Sequence, residues 1–206
     1  GSGGGFFVAN GAHLTGDDLV ISHNRAQDDD GGGIRNNGTM TLTNSLIVQN
    51  AVDKVSADYP LRGGGIANFG TLFLNRTQII SNTVSPSAFG AEGGGFHNGF
   101  GAIAELESVA VYLNSALSGG GINTGPFGSG VLTLTSSAVF SNTASGGNGG
   151  GIRNAGQLAM VNSTISGNQA TGHGGGLYTE GGAVSLNNVT LANNTADSDN
   201  DGDSVT

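Results

Sequence analysis

The 206-residue chain holds one lysine and five arginines against fifteen acidic residues, a formal net charge of −9. It therefore lacks the basic stripe that nucleic acids and anionic membranes select, and no apolar run approaches the ~18 residues of a membrane span. There is no cysteine, so disulfides contribute nothing, and 40 glycines with only 10% charged residues work against helices.

Triple glycines open at Gly3, Gly31, Gly63, Gly93, Gly119, Gly149 and Gly174, giving units of 28, 32, 30, 26, 30 and 25 residues. A period in that range signals stacked supersecondary units rather than one wound core. Each opening is followed by a large apolar residue: Phe6, Ile34, Ile66, Phe96, Ile122, Ile152 and Leu177. A second asparagine column (Asn36, Asn68, Asn98 and Asn154, with Thr179 in the last unit) marks a corner, often with glycine two residues later.

Further along each unit the text alternates, as in Thr39–Thr43, Thr71–Asn75 and Val131–Thr135. Period-two alternation rich in Thr and aliphatics predicts short, half-buried strands. Next comes an aliphatic column (Ile21, Ile47, Ile79, Val111, Val139, Ile165, Leu191) and, three residues on, an asparagine in every unit. These asparagines are Asn24, Asn50, Asn82, Asn114, Asn142, Asn168 and Asn194. Asparagine tolerates left-handed backbone at a corner, and in register its amides bond up the column as a ladder. Two residues later stands a small apolar residue: Ala26, Val52, Val84, Ala116, Ala144, Ala170 or Ala196.

The columns predict an all-β fold: a single right-handed parallel β-helix of about seven turns with three short strands per turn. Residues 1–196 form the repeat domain and 197–206 an acidic tail. Unit length varies mainly before the next triple glycine, at Asp53–Arg62 and Ser85–Glu92, which places the variable loops along one edge. That edge is the first place to expect recognition of a surface glycan or protein.

Candidate chemistry is sparse. Glu105 and Glu107 share one outward strand face, where a solvated pair is a simpler reading than an acid–base pair. Gly16-Asp17-Asp18 and Gly172-His173-Gly174 imitate pieces of the polygalacturonase pattern but fall about five turns apart, too far to share a substrate. Threonines that could order ice are interrupted by Phe73, Asn75, Glu105 and Glu107. The sequons at Asn37, Asn75, Asn162, Asn188 and Asn193 are expected by chance in so Asn-, Ser- and Thr-rich a text.

The tail carries Asp197, Asp199, Asp201 and Asp203 in a D-x-D-x-D-G string. Alternate oxygen ligands around a sharp glycine turn suit Ca2+, so calcium is the one cofactor expected. The string resembles EF-hand-type and thrombospondin type-3 loops. The acid that would complete the loop has no counterpart up to Thr206.

Units reading GGGΦxNxGxLxΦxNSxΦxxN, such as Gly149-Gly-Gly-Ile152 with Ile165-Ser-Gly-Asn168, resemble the repeats of large bacterial exported proteins. The polymorphic outer-membrane proteins, with their GGA-I and FxxN motifs, are among them. The resemblance implies a cell-surface or extracellular location and a structural or adhesive, non-catalytic role; a carbohydrate-active β-helix enzyme is the alternative. No polar cap is legible at either end of the array, so the ends are expected to meet a longer parent chain or neighbouring copies.

Overall fold

The computed structural model describes residues 3–55, 59–85, 90–125 and 129–197. Every strand pairing among them is parallel, in the arrangement of a right-handed β-solenoid. The first turn shows the plan, with β1 (Phe6–Val8), β2 (His13–Asp17), β3 (Val20–Ser22) and β4 (Arg25–Gln27). Each strand founds one sheet, and the first three sheets have seven strands apiece while the fourth has six.

A turn thus has four strands, where the sequence predicts three. The additional strand lies on the small apolar column and is only two or three residues long, as at Thr83–Val84. So short a segment shows no alternation of its own. In the last turn it shrinks to a single bridge between Gln169 and Thr195.

The core is a set of columns rather than a globule. The first sheet buries Ile34, Ile66, Phe96, Ile122 and Ile152; the second buries Met40, Leu42, Leu72, Leu74, Leu106, Leu132, Leu134 and Met160; the third buries Ile47, Ile79, Val111, Val139 and Ile165. Along the fourth sheet a smaller cluster joins Ala26, Val52, Val84 and Ala116 to Leu61 and Ala91, which the two long loops fold inward. Both loops are therefore anchored at their far ends.

The triple glycine is a close-packing device. In the unit that opens at Gly119, the first glycine has a φ of 58°. A Cβ on Gly120 would lie 2.3 Å from the Thr143 carbonyl oxygen, and one on Gly121 would meet the Asn142 amide at 2.8 Å. Only glycine lets the backbone pass this close to the next rung and its asparagine.

The asparagine column forms the expected ladder. Asn24, Asn50, Asn82, Asn114, Asn142 and Asn168 each donate Nδ2 to the Oδ1 of the next asparagine at 2.9–3.0 Å, ending at Asn194. Each of these Oδ1 atoms also accepts a backbone N–H from the preceding rung. The left-handed residue, however, is the one before each asparagine: His23, Gln49, Ser81, Leu113, Ser141, Gly167 and Asn193. The asparagine itself must point inward to hold the ladder, so its neighbour makes the corner.

The second asparagine column is also a buried ladder, running Asn36 to Asn68 to Asn98 at 2.8 Å per step. Thr124 fills the gap that the asparagines leave and donates Oγ1 to Asn154 Oδ1 at 2.5 Å.

Insertions occupy two corners, not one. Beyond the loops after the fourth sheet, the segment between the first and second sheets lengthens from two residues after Asn36 to six after Thr124. Both corners flank the first sheet.

Candidate functional site

Because the first sheet has variable loops on both sides, its outer face is where the turns differ most. Three columns meet there. The residues preceding the triple glycines, Asp30, Arg62, Glu92, Ser118, Asn148 and His173, stand in rung register, as the parallel bridges Arg62–Glu92 and Glu92–Ser118 show. The central residues of the strands pair as Phe7–Arg35–Ala67–His97–Asn123–Arg153–Tyr178. A third column follows the strands and includes Phe69, Ala155 and Glu180.

Together they enclose a groove of about 700 Å³ lined by Arg62, Glu92, Asn123, Arg153, Ala155, Glu180 and Gly181. Its polar groups bind one another. Arg153 Nη1 donates to Glu92 Oε1 at 3.0 Å and to Asn123 Oδ1 at 3.2 Å, and its Nη2 donates to Glu180 Oε2 at 2.6 Å. Glu92 Oε2 accepts from Asn123 Nδ2 at 3.2 Å and faces Arg62 Nε at 3.5 Å. Three side chains, Arg62, Asn123 and Arg153, are thus held in place by the Glu92 carboxylate.

Beneath this network lies His97, 1% exposed, its Nδ1 3.1 Å from Asn123 Nδ2 and its ring tilted against Phe69 at 5.8 Å. Burial, with Arg62 and Arg153 nearby, pushes its pKa down to about 3, so the ring is neutral. The Arg35 guanidinium lies 5.3 Å over Phe69 and pairs with Asp29. Asp30 is 7% exposed and accepts the Arg62 backbone N–H at 2.9 Å. Burial raises its carboxyl to about 6 despite the opposing pull of Arg62 and Arg35.

The groove itself was not among the sequence expectations, although Arg62 and Glu92 end the two long loops on the edge that the sequence singles out. A signal existed in the residue before each triple glycine and in the x of GGGΦxN, but neither column is dominated by one residue type.

The residues that the sequence does single out fall elsewhere. Asp197 is described: its φ is 52° and its N–H bonds the Gly172 carbonyl at 3.1 Å. Asp199, Asp201 and Asp203 lie outside the described residues. Glu105 and Glu107 point outward from the second sheet in register with Phe73 and Asn75, and Glu107 Oε2 accepts from Asn75 Nδ2 at 2.7 Å. Asp17, at the end of β2, accepts from Thr43 Oγ1 at 2.6 Å and Asn44 Nδ2 at 2.8 Å, which lower its pKa. His173 belongs to the column before the triple glycines, in the last turn and so six levels from Asp17 in the first.

The last turn forms a second feature. Its strands Leu177–Thr179, Ala183–Asn187 and Thr190–Ala192 continue the core columns, yet Val184, Leu186 and Leu191 are 36%, 43% and 49% exposed. Among the described residues no further rung covers them.

No protein-family model, curated protein or solved structure matches the chain.

Proposed function

We propose that the chain is a non-catalytic structural or adhesive segment of a bacterial extracellular surface, of the kind the polymorphic outer-membrane repeats build, and that it extends by coil stacking. The open apolar rung at Val184, Leu186 and Leu191 carries this reading. Parallel strands can add there in unbroken register, since every turn repeats the same columns. The added coil is the next turn of a longer parent chain or the first turn of a second copy, and the second case is a head-to-tail contact that does not close.

A carbohydrate-active enzyme is the competing reading. Against it, both groove carboxylates, Glu92 and Glu180, are tied to Arg153. That arrangement suits a fixed binding surface more than proton transfer, which needs a carboxyl free to change its charge.

Electron microscopy of the wild type and Leu186→Lys tests the proposal. The wild type should form fibres one solenoid wide, and the variant should remain as short particles, because a lysine in a core column blocks stacking. Short particles from both proteins would reject end-to-end assembly, and release of reducing or unsaturated ends from acidic polysaccharides would establish the enzyme. Repeating the imaging with chelator reads the calcium expectation for the aspartate tail: fibres that dissolve place the tail at the junction.

A further inference from the structure

We propose that the groove on the first sheet binds an extended oligosaccharide carrying isolated carboxylate groups, with the Arg62 guanidinium receiving a carboxylate. Among the described residues, Arg62 is the arginine of the network whose terminal nitrogens are not already used by its neighbours. Its Nε meets Glu92 at a loose 3.5 Å, and among the described residues its two terminal nitrogens have no hydrogen-bond partner. A guanidinium presents those nitrogens as a planar fork that fits a carboxylate bidentately. Arg153, by contrast, spends its donors on Glu92, Asn123 and Glu180.

The rest of the groove suits sugar hydroxyls. Arg62, Glu92, Asn123, Arg153 and Glu180 come from five successive levels of the solenoid, so at the spacing of stacked strands the groove runs about 19 Å along the axis. Donors and acceptors alternate along it, which matches a linear chain of hydroxyls that both give and accept protons. The groove's four charged side chains, two arginines and two glutamates, sum to zero. With the whole chain at −9, a densely charged polymer is repelled while one carboxylate among neutral sugars is not. An acidic peptide fits less well, because the lining offers only Ala155 and Gly181 as apolar footing for its side chains.

The test is calorimetric titration with hyaluronan tetrasaccharide, in which uronic acid alternates with a neutral amino sugar. Its carboxyl-reduced form and a hexaglutamate peptide serve as comparison ligands. Wild type should bind the tetrasaccharide saturably. Carboxyl reduction or Arg62→Gln should weaken binding roughly tenfold or more, and Arg76→Gln, which removes an equal charge outside the groove, should leave it unchanged. Arg62→Lys keeps the charge and loses the fork, so it should also weaken binding, which covers a misfolded Arg62→Gln.

No binding to wild type, equal binding of the reduced sugar, an equal loss in Arg76→Gln, or tighter binding of hexaglutamate would each overturn the proposal. Running the titrations in the Leu186→Lys background separates this result from the stacking proposal, because Leu186 does not line the groove.

Discussion

Arg153 reaches past its neighbouring rung to Glu92, 61 positions earlier in sequence, and joins it at 3.0 Å on the outer face of the first sheet. The contact spans two strand spacings, about 10 Å along the axis, and both side chains are 21% exposed. An ion pair at this depth is less screened than one on the surface. Removing Arg153 leaves Glu92 and Glu180 without it, so Arg153→Met should lower stability by about 1–3 kcal/mol in urea unfolding. A double-mutant cycle with Glu92→Gln should return a coupling above about 0.5 kcal/mol. Additive losses would mean that the network is not an energetic unit.

The pH dependence of stability follows from two buried groups that oppose each other. Asp30 has an ordinary value of 3.8 and a folded value of about 6. Between those values the native state holds a proton that the unfolded chain has lost, so this group makes stability fall as pH rises, by on the order of 3 kcal/mol. His97 has an ordinary value of 6.5 and a folded value of about 3. Between those values the unfolded chain holds the extra proton, so this group makes stability rise with pH. Thermal unfolding from pH 3.5 to 7 should show wild type nearly flat between about 4 and 6. Asp30→Asn should slope upward with pH there and be more stable than wild type at pH 7, and His97→Gln should slope downward. Three parallel curves would refute the assignment.

The asparagine ladder should be most costly to break at its centre. Asn114, 1% exposed, donates to the Ile79 carbonyl at 2.9 Å and to Asn142, and it accepts from both nitrogens of Asn82. Asn114→Ala strands these buried partners and should cost roughly 2–4 kcal/mol, counting one to two unsatisfied groups. Asn24 in the first turn is half-exposed and accepts from no earlier asparagine. Asn24→Ala should cost less than half as much in the same urea titration, and equal losses would show that the ladder adds nothing beyond local turn bonds.

What the sequence makes legible here is whatever repeats in a buried column. Ile34 and its counterparts, Asn50 and its counterparts, and the glycines recur because each rung imposes the same inward geometry. The fourth strand escapes notice because two residues such as Thr83–Val84 cannot display a period. The site escapes for a different reason: Arg62, Glu92, Asn123 and Arg153 come from two columns that mix charged, polar and apolar residues from turn to turn. Units of 25 to 32 residues hide their register until the strands are paired. The corner was misplaced by one residue because asparagine's tolerance of left-handed backbone is real, but the ladder has a stronger claim on that side chain.

That displaced corner yields the last prediction. Leu113 adopts a φ of 57° and is 56% exposed, while Gly167 fills the equivalent place two turns later at 62°. A leucine in the left-handed region is held there at a cost of about 1–2 kcal/mol, and asparagine relieves much of that strain through its local hydrogen bonds. Since the Leu113 side chain buries little apolar surface, Leu113→Asn should raise stability by about 0.5–1 kcal/mol and lift the melting temperature. Gly167→Ala should do the reverse by a similar amount, even though a Cβ at Gly167 has open space, with no atom nearer than 3.8 Å. The pair separates backbone strain from packing. If Gly167→Ala is neutral and Leu113→Asn destabilises, contacts of the Leu113 side chain, not its backbone, govern the corner.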